Sequence, residues 1–261
     1  MKKILSRPVL QSGLCRVSLP LLLIFLISFY LAGPALSAGS SQMLGEILAK
    51  TEANYENIHA FTAIFRQKTT SAAAGTLSAG EAQGRLYYEK PRQMRWEYDE
   101  PEEQVFVANN QYAWLFVRGE NQITLFDAGK LFASPLARTF FDGALGLKNH
   151  FEITLDPIQS TAALAVLKLV PRQEDPNIKH AYLWIDLKTY RIYRVQTVDL
   201  LGNTNEISIE SFTPHPSLEP GLFHLDVPAS AKVFGADGHE LNSSEIDQLK
   251  AKISSGKQEN S

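Results

Sequence analysis

The chain has 261 residues and a single cysteine, and 44% of its residues are hydrophobic while 20% are charged. Its formal net charge of −3 becomes about −7 without residues 1–38, because those residues hold four positive and no negative charges. This negative balance argues against binding to a nucleic-acid backbone and against electrostatic adhesion to anionic lipid surfaces.

Residues 1–38 are predicted to be a cleaved secretory signal peptide. An apolar run from Leu19 to Leu31 is followed by the small residues around Ser37 and Ala38. Four basic residues precede the run: Lys2, Lys3, Arg7 and Arg16. This order is typical of an export signal, and the run is shorter than the ~20 residues of a membrane-spanning helix. Cleavage after Ser37 and cleavage after Ala38 both remain open, and an uncleaved membrane anchor is the alternative.

The only cysteine, Cys15, precedes the apolar run. It is therefore not placed as the lipid-modified cysteine that follows such a run. After cleavage the chain would hold no thiol, disulfide or thiolate metal site, so its core alone would stabilise it. Residues 39–235 are long enough for one β-rich domain with a substantial core. Residues 236–261 are predicted to form a polar tail with one short helix.

The helix predicted first in the mature chain covers residues 41–58, where apolar residues recur at steps of three and four. From residue 60 the hydrophobic period changes to two, which is typical of strands with one buried face. Comparable segments make about eleven strands: 61–67, 84–90, 93–98, 104–108, 111–118, 121–127, 151–156, 163–170, 179–187, 190–199 and 204–212. Turn residues separate many of them, so we expect one large antiparallel sheet, strongly curved or nearly closed.

Two stretches interrupt this pattern. Residues 71–80 are small and polar and are predicted to form a loop between the first two strands. Residues 129–146 include Leu136 and Phe140 between a proline and two glycines. We expect this second stretch to form a short apolar helix that caps the sheet.

The sequence shows no arrangement that would support catalysis or bind a cofactor. No two of the six histidines have a spacing typical of metal ligands, and no phosphate-cradling glycine loop or nucleophile elbow is present. Acidic residues cluster around Pro101, where a hairpin turn is predicted, and solvated surface charge accounts for them. We therefore expect neither an enzyme nor a cofactor.

Aromatic residues are concentrated on the predicted strands. They either fill an ordinary core or line an apolar cavity on one face of the curved sheet, with the helix at 41–58 and the segment at 135–142 as its lid. Composition alone does not distinguish these two interpretations.

Several motifs in a fixed order carry a resemblance to a known family. They include Phe65 with Gln67, Gly84 with Leu86, and the step Lys90–Pro91 that leads to Arg95–Trp96. Three later segments extend the pattern: 109–114, 134–136 and 222–228. Over roughly residues 42–234 the chain resembles the outer-membrane lipoprotein carrier protein family, LolA, in which the last of these segments is a closing strand.

This resemblance implies a fold and a function. The fold would be mainly β, a single incomplete and highly curved antiparallel β-barrel covered by short helices. The function would be that of a monomeric periplasmic chaperone. It would accept acylated lipoproteins from an inner-membrane ABC exporter, shield their acyl chains in a hydrophobic cavity and deliver them to an outer-membrane receptor.

The alternation of apolar and polar residues together with the resemblance predicts which residues line the cavity: Phe61, Phe65, Leu86, Tyr88, Met94, Trp96, Leu136 and Phe140. Lys90 stands where better-known members of the family have arginine. It is predicted to hold the lid closed by donating hydrogen bonds to backbone carbonyls, with Arg92 and Arg95 as alternatives.

Three other functions remain open at this stage. The first is the outer-membrane acceptor, which shares the architecture but normally carries a lipid anchor. The second is a sensor domain of the same fold, and the third is a secreted hydrolase with catalytic residues scattered along the sequence.

Overall fold

The computed structural model describes residues 35–73, 79–109, 112–129, 146–224 and 227–255. The chain divides into the units Met1–Gln42 and Met43–Ser261. Of the first unit only helical residues 35–42 are described, so most of the predicted signal peptide lies outside the described residues. The predicted capping helix, with Leu136 and Phe140, also lies outside them. Within the described ranges, no helix is both long and apolar enough to span a bilayer.

The described residues form twelve strands and four helical segments. The strands are β1 (Ala60–Thr70), β2 (Ala79–Glu89), β3 (Gln93–Glu100), β4 (Gln104–Ala108), β5 (Ala113–Val117), β6 (Gln122–Phe126), β7 (Phe151–Leu155), β8 (Leu164–Pro171), β9 (His180–Asp186), β10 (Ile192–Val198), β11 (Thr204–His215) and β12 (Lys232–Phe234). The helices are α1 (Ala35–Glu56), α2 (Leu147–His150), a 3₁₀ helix (Pro220–Phe223) and α3 (Ser243–Ser255).

All twelve strands belong to one curved, open sheet in the order β12-β6-β5-β4-β3-β2-β1-β11-β10-β9-β8-β7. Neighbours pair antiparallel, except that β12 runs parallel to β6. The long pair β1–β11 joins the first and last thirds of the sequence, with Ala60 opposite His215 and Thr70 opposite Thr204. The predicted mainly β fold with one large antiparallel sheet is confirmed.

One face of this sheet, called the inner face, carries Phe61, Phe65, Leu86 and Met94. Alternate residues of each strand point to it because side chains change face at every step along a strand. The residues of α1 from Met43 onward cover part of this face with Ile47, Leu48 and Tyr55, which belong to the same buried cluster as Phe61 and Leu86. Their spacing places these three side chains on one side of the helix.

The opposite, outer face is covered at β4–β6 by the C-terminal residues. Val105, Val107 and Trp114 form a second buried cluster with Ile123 and Val233. Leu241 and Ile246, which fall within the predicted tail, pack against this cluster. Both faces of β4 therefore pack against apolar residues, which explains the continuous apolar run from Val105 to Ala108.

Gly84 allows β2 and β3 to approach closely at a bulge. A Cβ atom added to Gly84 would lie 1.8 Å from the carbonyl oxygen of Glu97, so any other residue would push the two strands apart. The register shifts between Gln83 and Gly84, which brings Gly84 opposite Tyr98. The side chains on either side of this glycine can therefore meet above it.

The structure corrects one prediction, that of the closing strand. Leu222 and Phe223, predicted to lie in the closing strand, are in the 3₁₀ helix, because Pro220 lacks the N–H that a strand ladder needs and suits a helical first turn. The last strand is instead β12, whose three residues are too few to show an alternation. The first predicted helix is confirmed, although α1 begins at Ala35 and ends at Glu56.

Candidate functional site

The strand register arranges the inner face in rows of directly opposed residues. The first row runs from Phe61 through Tyr88 and Met94. The second runs from Ala63 through Leu86, Trp96 and Phe106. The third contains Phe65, Gly84 and Tyr98. Six of the eight residues predicted to line a cavity thus lie in three adjacent rows on one face, and the other two lie outside the described residues.

Aromatic rings dominate the contacts between these rows. Phe65 meets Trp96 edge to face with ring centroids 4.7 Å apart, and it meets Tyr98 in the same way at 5.1 Å. Phe61 stacks on Phe212 at 4.6 Å and tilts against Tyr88 at 5.4 Å. Such pairs contribute about 0.5–1.5 kcal/mol beyond their buried area. The inner face is therefore an aromatic, apolar surface that extends across several strands.

Burial of this surface decreases along the second row. Leu86 is fully buried, whereas Trp96 and Phe106 are only partly buried. Phe126 lies at the end of the first row, opposite Ala113, and 44% of its surface is exposed. The inner face is thus closed by packing at β1 and β2 and is more open toward β6. Sequence reasoning did not assign Phe106, Phe126 or Phe212 to this surface.

Lys90 joins the turn after β2 to the end of α1. Its ammonium group donates hydrogen bonds to the carbonyl oxygens of Tyr55, at 2.8 Å, and Glu56, at 3.4 Å. Its backbone N–H also donates to the carbonyl of His59 at 2.8 Å. The final carbonyls of a helix have no partner within the helix and carry partial negative charge, so a cation there is stabilising.

Arg95, named as an alternative to Lys90, makes different contacts. Its guanidinium group donates to the carbonyl of Leu222 at 3.2 Å and pairs with Glu97 at 2.7 Å. Arg95 alternates with Met94 and Trp96 along β3, so it lies on the outer face. Its position there links β3 to the 3₁₀ helix rather than to α1.

Tyr55 provides a second connection between α1 and the sheet. Its hydroxyl accepts a hydrogen bond from the backbone N–H of Ile192 at 3.3 Å and donates to the carbonyl of the same residue at 3.5 Å. The side chain is fully buried, and burial raises the pKa of Tyr55 to about 12. The last turn of α1 is therefore held both to the turn after β2 and to the start of β10.

We expect Tyr55→Phe to lower the free energy of unfolding by about 1–3 kcal/mol at neutral pH, because it leaves the buried N–H of Ile192 without its partner. Since the folded-state pKa lies above the ordinary 10.0, the parent protein loses this tyrosine's contribution as the pH rises from about 10 to about 12. Denaturant unfolding at pH 7 and across that alkaline range measures both effects. An unchanged alkaline slope in the variant would contradict the assigned pKa shift.

Among the described residues, no group of three or more histidine, cysteine, aspartate or glutamate side chains is arranged to hold a metal ion. The acidic residues near Pro101 include Asp99, which lies at the exposed end of β3. Its carboxylate pairs with Arg85 of β2. This local pairing accounts for part of the acidic cluster.

Comparison with known proteins identifies a family whose sequence pattern this chain shares. A sequence model described as outer membrane lipoprotein carrier protein LolA matches residues 56–226. The chain belongs to the LolA family. The resemblance identified from the sequence motifs is therefore confirmed, and the matched range includes the three aromatic rows and Lys90.

Individual LolA-family relatives are distant. The outer-membrane lipoprotein carrier protein of Methylobacillus flagellatus is 27% identical over 184 residues, which cover 70% of this chain and 86% of that protein. The protein of the same name from Cupriavidus taiwanensis is 24% identical over 209 residues, with 80% and 93% covered. A crystal structure of a LolA superfamily protein from Nitrosomonas europaea is 11% identical, covers 69% of this chain and 97% of its own, and has a TM-score of 0.40.

Proposed function

We propose that this protein is a periplasmic carrier that shields the acyl chains of lipoproteins on its inner face. It accepts the lipoproteins from an inner-membrane ABC exporter and delivers them to an outer-membrane receptor. The observation that carries the proposal is the continuous aromatic surface formed by the rows of Phe61, Leu86 and Phe65 in a chain of the LolA family.

The energetics of lipid transfer support the need for such a surface. Burial of an acyl chain is worth about 0.8 kcal/mol per methylene group, so release of a long chain into water is very slow. A protein carrier therefore has to replace the bilayer with apolar side chains of its own. It also has to cover those side chains between deliveries, because large exposed apolar patches promote aggregation.

The contacts of α1 suggest how that cover is held. Met43–Glu56 packs on the inner face through Ile47, Leu48 and Tyr55. Lys90 binds the carbonyls of its last turn, and Tyr55 binds the backbone of Ile192. In this proposal α1 moves away when acyl chains enter and re-forms these bonds when they leave, which favours release to the receptor.

Two measurements test the proposal. Mass spectrometry of the protein purified from its native periplasm should identify bound acylated lipoprotein. In a two-step assay, the carrier should release a lipoprotein from inner-membrane vesicles that contain the exporter and then transfer it to the receptor. Failure of both steps, with no lipoprotein bound after purification, would contradict the proposal, and turnover of a bound substrate would indicate an enzyme instead.

A further inference from the structure

The inner face changes from apolar to polar along β1. Phe61, Ala63 and Phe65 are followed on the same face by Gln67 and Thr69, because every second residue points inward. Gln67 lies opposite Ala82 and Ile207, while Thr69 lies opposite Gly80 and Asn205. The aromatic rows therefore end at the row of Phe65, and the next row begins with Gln67.

A chain of hydrogen bonds forms this boundary across three strands. The hydroxyl of Tyr98 donates to the amide oxygen of Gln67 at 3.0 Å, and the amide nitrogen of Gln67 donates to the side-chain oxygen of Asn205 at 2.8 Å. All three side chains are partly buried, and burial raises the pKa of Tyr98, so its hydroxyl keeps its proton. Both ends of the Gln67 amide are thus engaged within the protein.

Beyond this boundary lies a pocket of about 550 Å³ whose lining residues all carry a hydroxyl, amide or carboxylate group. Asn205 belongs both to the hydrogen-bonded chain and to the lining of this pocket, beside Thr69 and Thr197. An acyl chain that passed Gln67 would exchange aromatic contacts for these polar groups. It would also have to separate hydrogen bonds whose groups would find no partner in a hydrocarbon chain.

The dimensions fit one acyl chain placed along the strands. Six residues separate Phe61 from Gln67, which corresponds to about 20 Å at the rise of a β-strand. An acyl chain in a membrane spans about half of the ~30 Å hydrocarbon core. An acyl chain of this length thus fits between the turn that carries Lys90 and the boundary at Gln67.

We infer that Gln67, held by Tyr98 and Asn205, sets the maximum length of acyl chain that the inner face accommodates. The inference rests on the proposed function, because it assumes that acyl chains bind on this face. Gln67 acts as a specificity-determining residue, and the two residues that hold it act as positioning residues.

The test uses synthetic diacylglyceryl-cysteine peptides whose acyl chains lengthen by two carbons at a time. With the parent protein, affinity should rise by about fourfold for each buried methylene and then stop rising once the chain reaches Gln67. In Gln67→Leu the rise should continue over further steps of the series. The matched control is Gln83→Leu, which makes the same substitution on the adjacent strand but on the outer face, and it should keep the parent's limit.

A second variant keeps the test decisive if Gln67→Leu does not fold. Gln67→Glu still accepts the hydrogen bond from Tyr98 but places a charge at the boundary, so it should weaken binding of the longest peptides while leaving the shortest unchanged. An identical length limit in the parent and in the folded variants would overturn the inference. Absence of binding by the folded parent at every length would instead contradict the proposed function itself.

Discussion

Replacement of Met94 with glutamate is expected to reduce lipoprotein acceptance at least tenfold. Met94 lies in the first row between Tyr88 and Ala108, and only 2% of its surface is exposed. A carboxylate at this position lies in a row of apolar side chains and next to Tyr88 and Ala108, and a buried charge strongly disfavours contact with an acyl chain. The first step of the transfer assay measures the effect directly.

Two controls are needed to interpret the effect of Met94→Glu. Gln93→Glu introduces the same charge one residue earlier, on the outer face, and should leave acceptance unchanged. Circular dichroism and thermal unfolding show whether Met94→Glu remains folded, which we expect because a lipid-binding surface tolerates change better than a close-packed core. If the variant unfolds instead, Met94 belongs to the structural core and its assignment to the lipid-binding surface is wrong.

Lys90→Leu is expected to accept lipoprotein normally but to transfer it to the receptor about tenfold more slowly. The substitution removes the charged donor that binds the carbonyls of Tyr55 and Glu56 at the end of α1. A hydrogen bond to a charged group contributes about 1.5–3 kcal/mol, which corresponds to a tenfold or larger change in the ratio of closed to open protein. Weaker closure leaves less free energy to offset the loss of lipid contacts on release.

Lys90→Arg should transfer at least as well as the parent, since the guanidinium group has five donors in a rigid fork where lysine has three on one flexible point. Lys68→Leu is the matched control, because Lys68 is an exposed lysine on the outer face of β1. Unchanged transfer to the receptor by Lys90→Leu would remove Lys90 from the mechanism. Arg92 would then be the next residue to test, since Arg95 binds Leu222 and Glu97.

Alternation of side chains made the inner face of β1 to β3 predictable from the sequence. Those strands bury one face and leave much of the other exposed, so Phe65 alternates with Arg66 and Met94 alternates with Arg95. In β4 the same rule fails, because Val105 and Val107 are buried beneath the C-terminal residues while Phe106 packs on the inner face. A strand covered on both faces has no polar side to mark its orientation.

Contacts between distant residues could not be predicted in this way. Gln67 belongs to a recognisable motif, yet its two partners lie 31 and 138 residues away in the sequence. Their meeting depends on the bulge at Gly84 and on the pairing of β1 with β11, and neither follows from the periodicity of a single strand. The bonds of Tyr55 to Ile192, across 137 residues, depend equally on the docking of α1.

The C-terminal residues that cover the outer face form a buried cluster whose contribution to stability is separate from that of the inner face. The cluster around Val107 and Trp114, closed by Val233, lies on the side of the sheet opposite the aromatic rows. In the proposed mechanism this cluster stays buried whether acyl chains or α1 occupy the inner face, because it lies on the other face of the sheet. Part of the free energy of folding would then be independent of bound lipoprotein, so the proposed rounds of loading and unloading would repack one surface of the sheet without unfolding the protein.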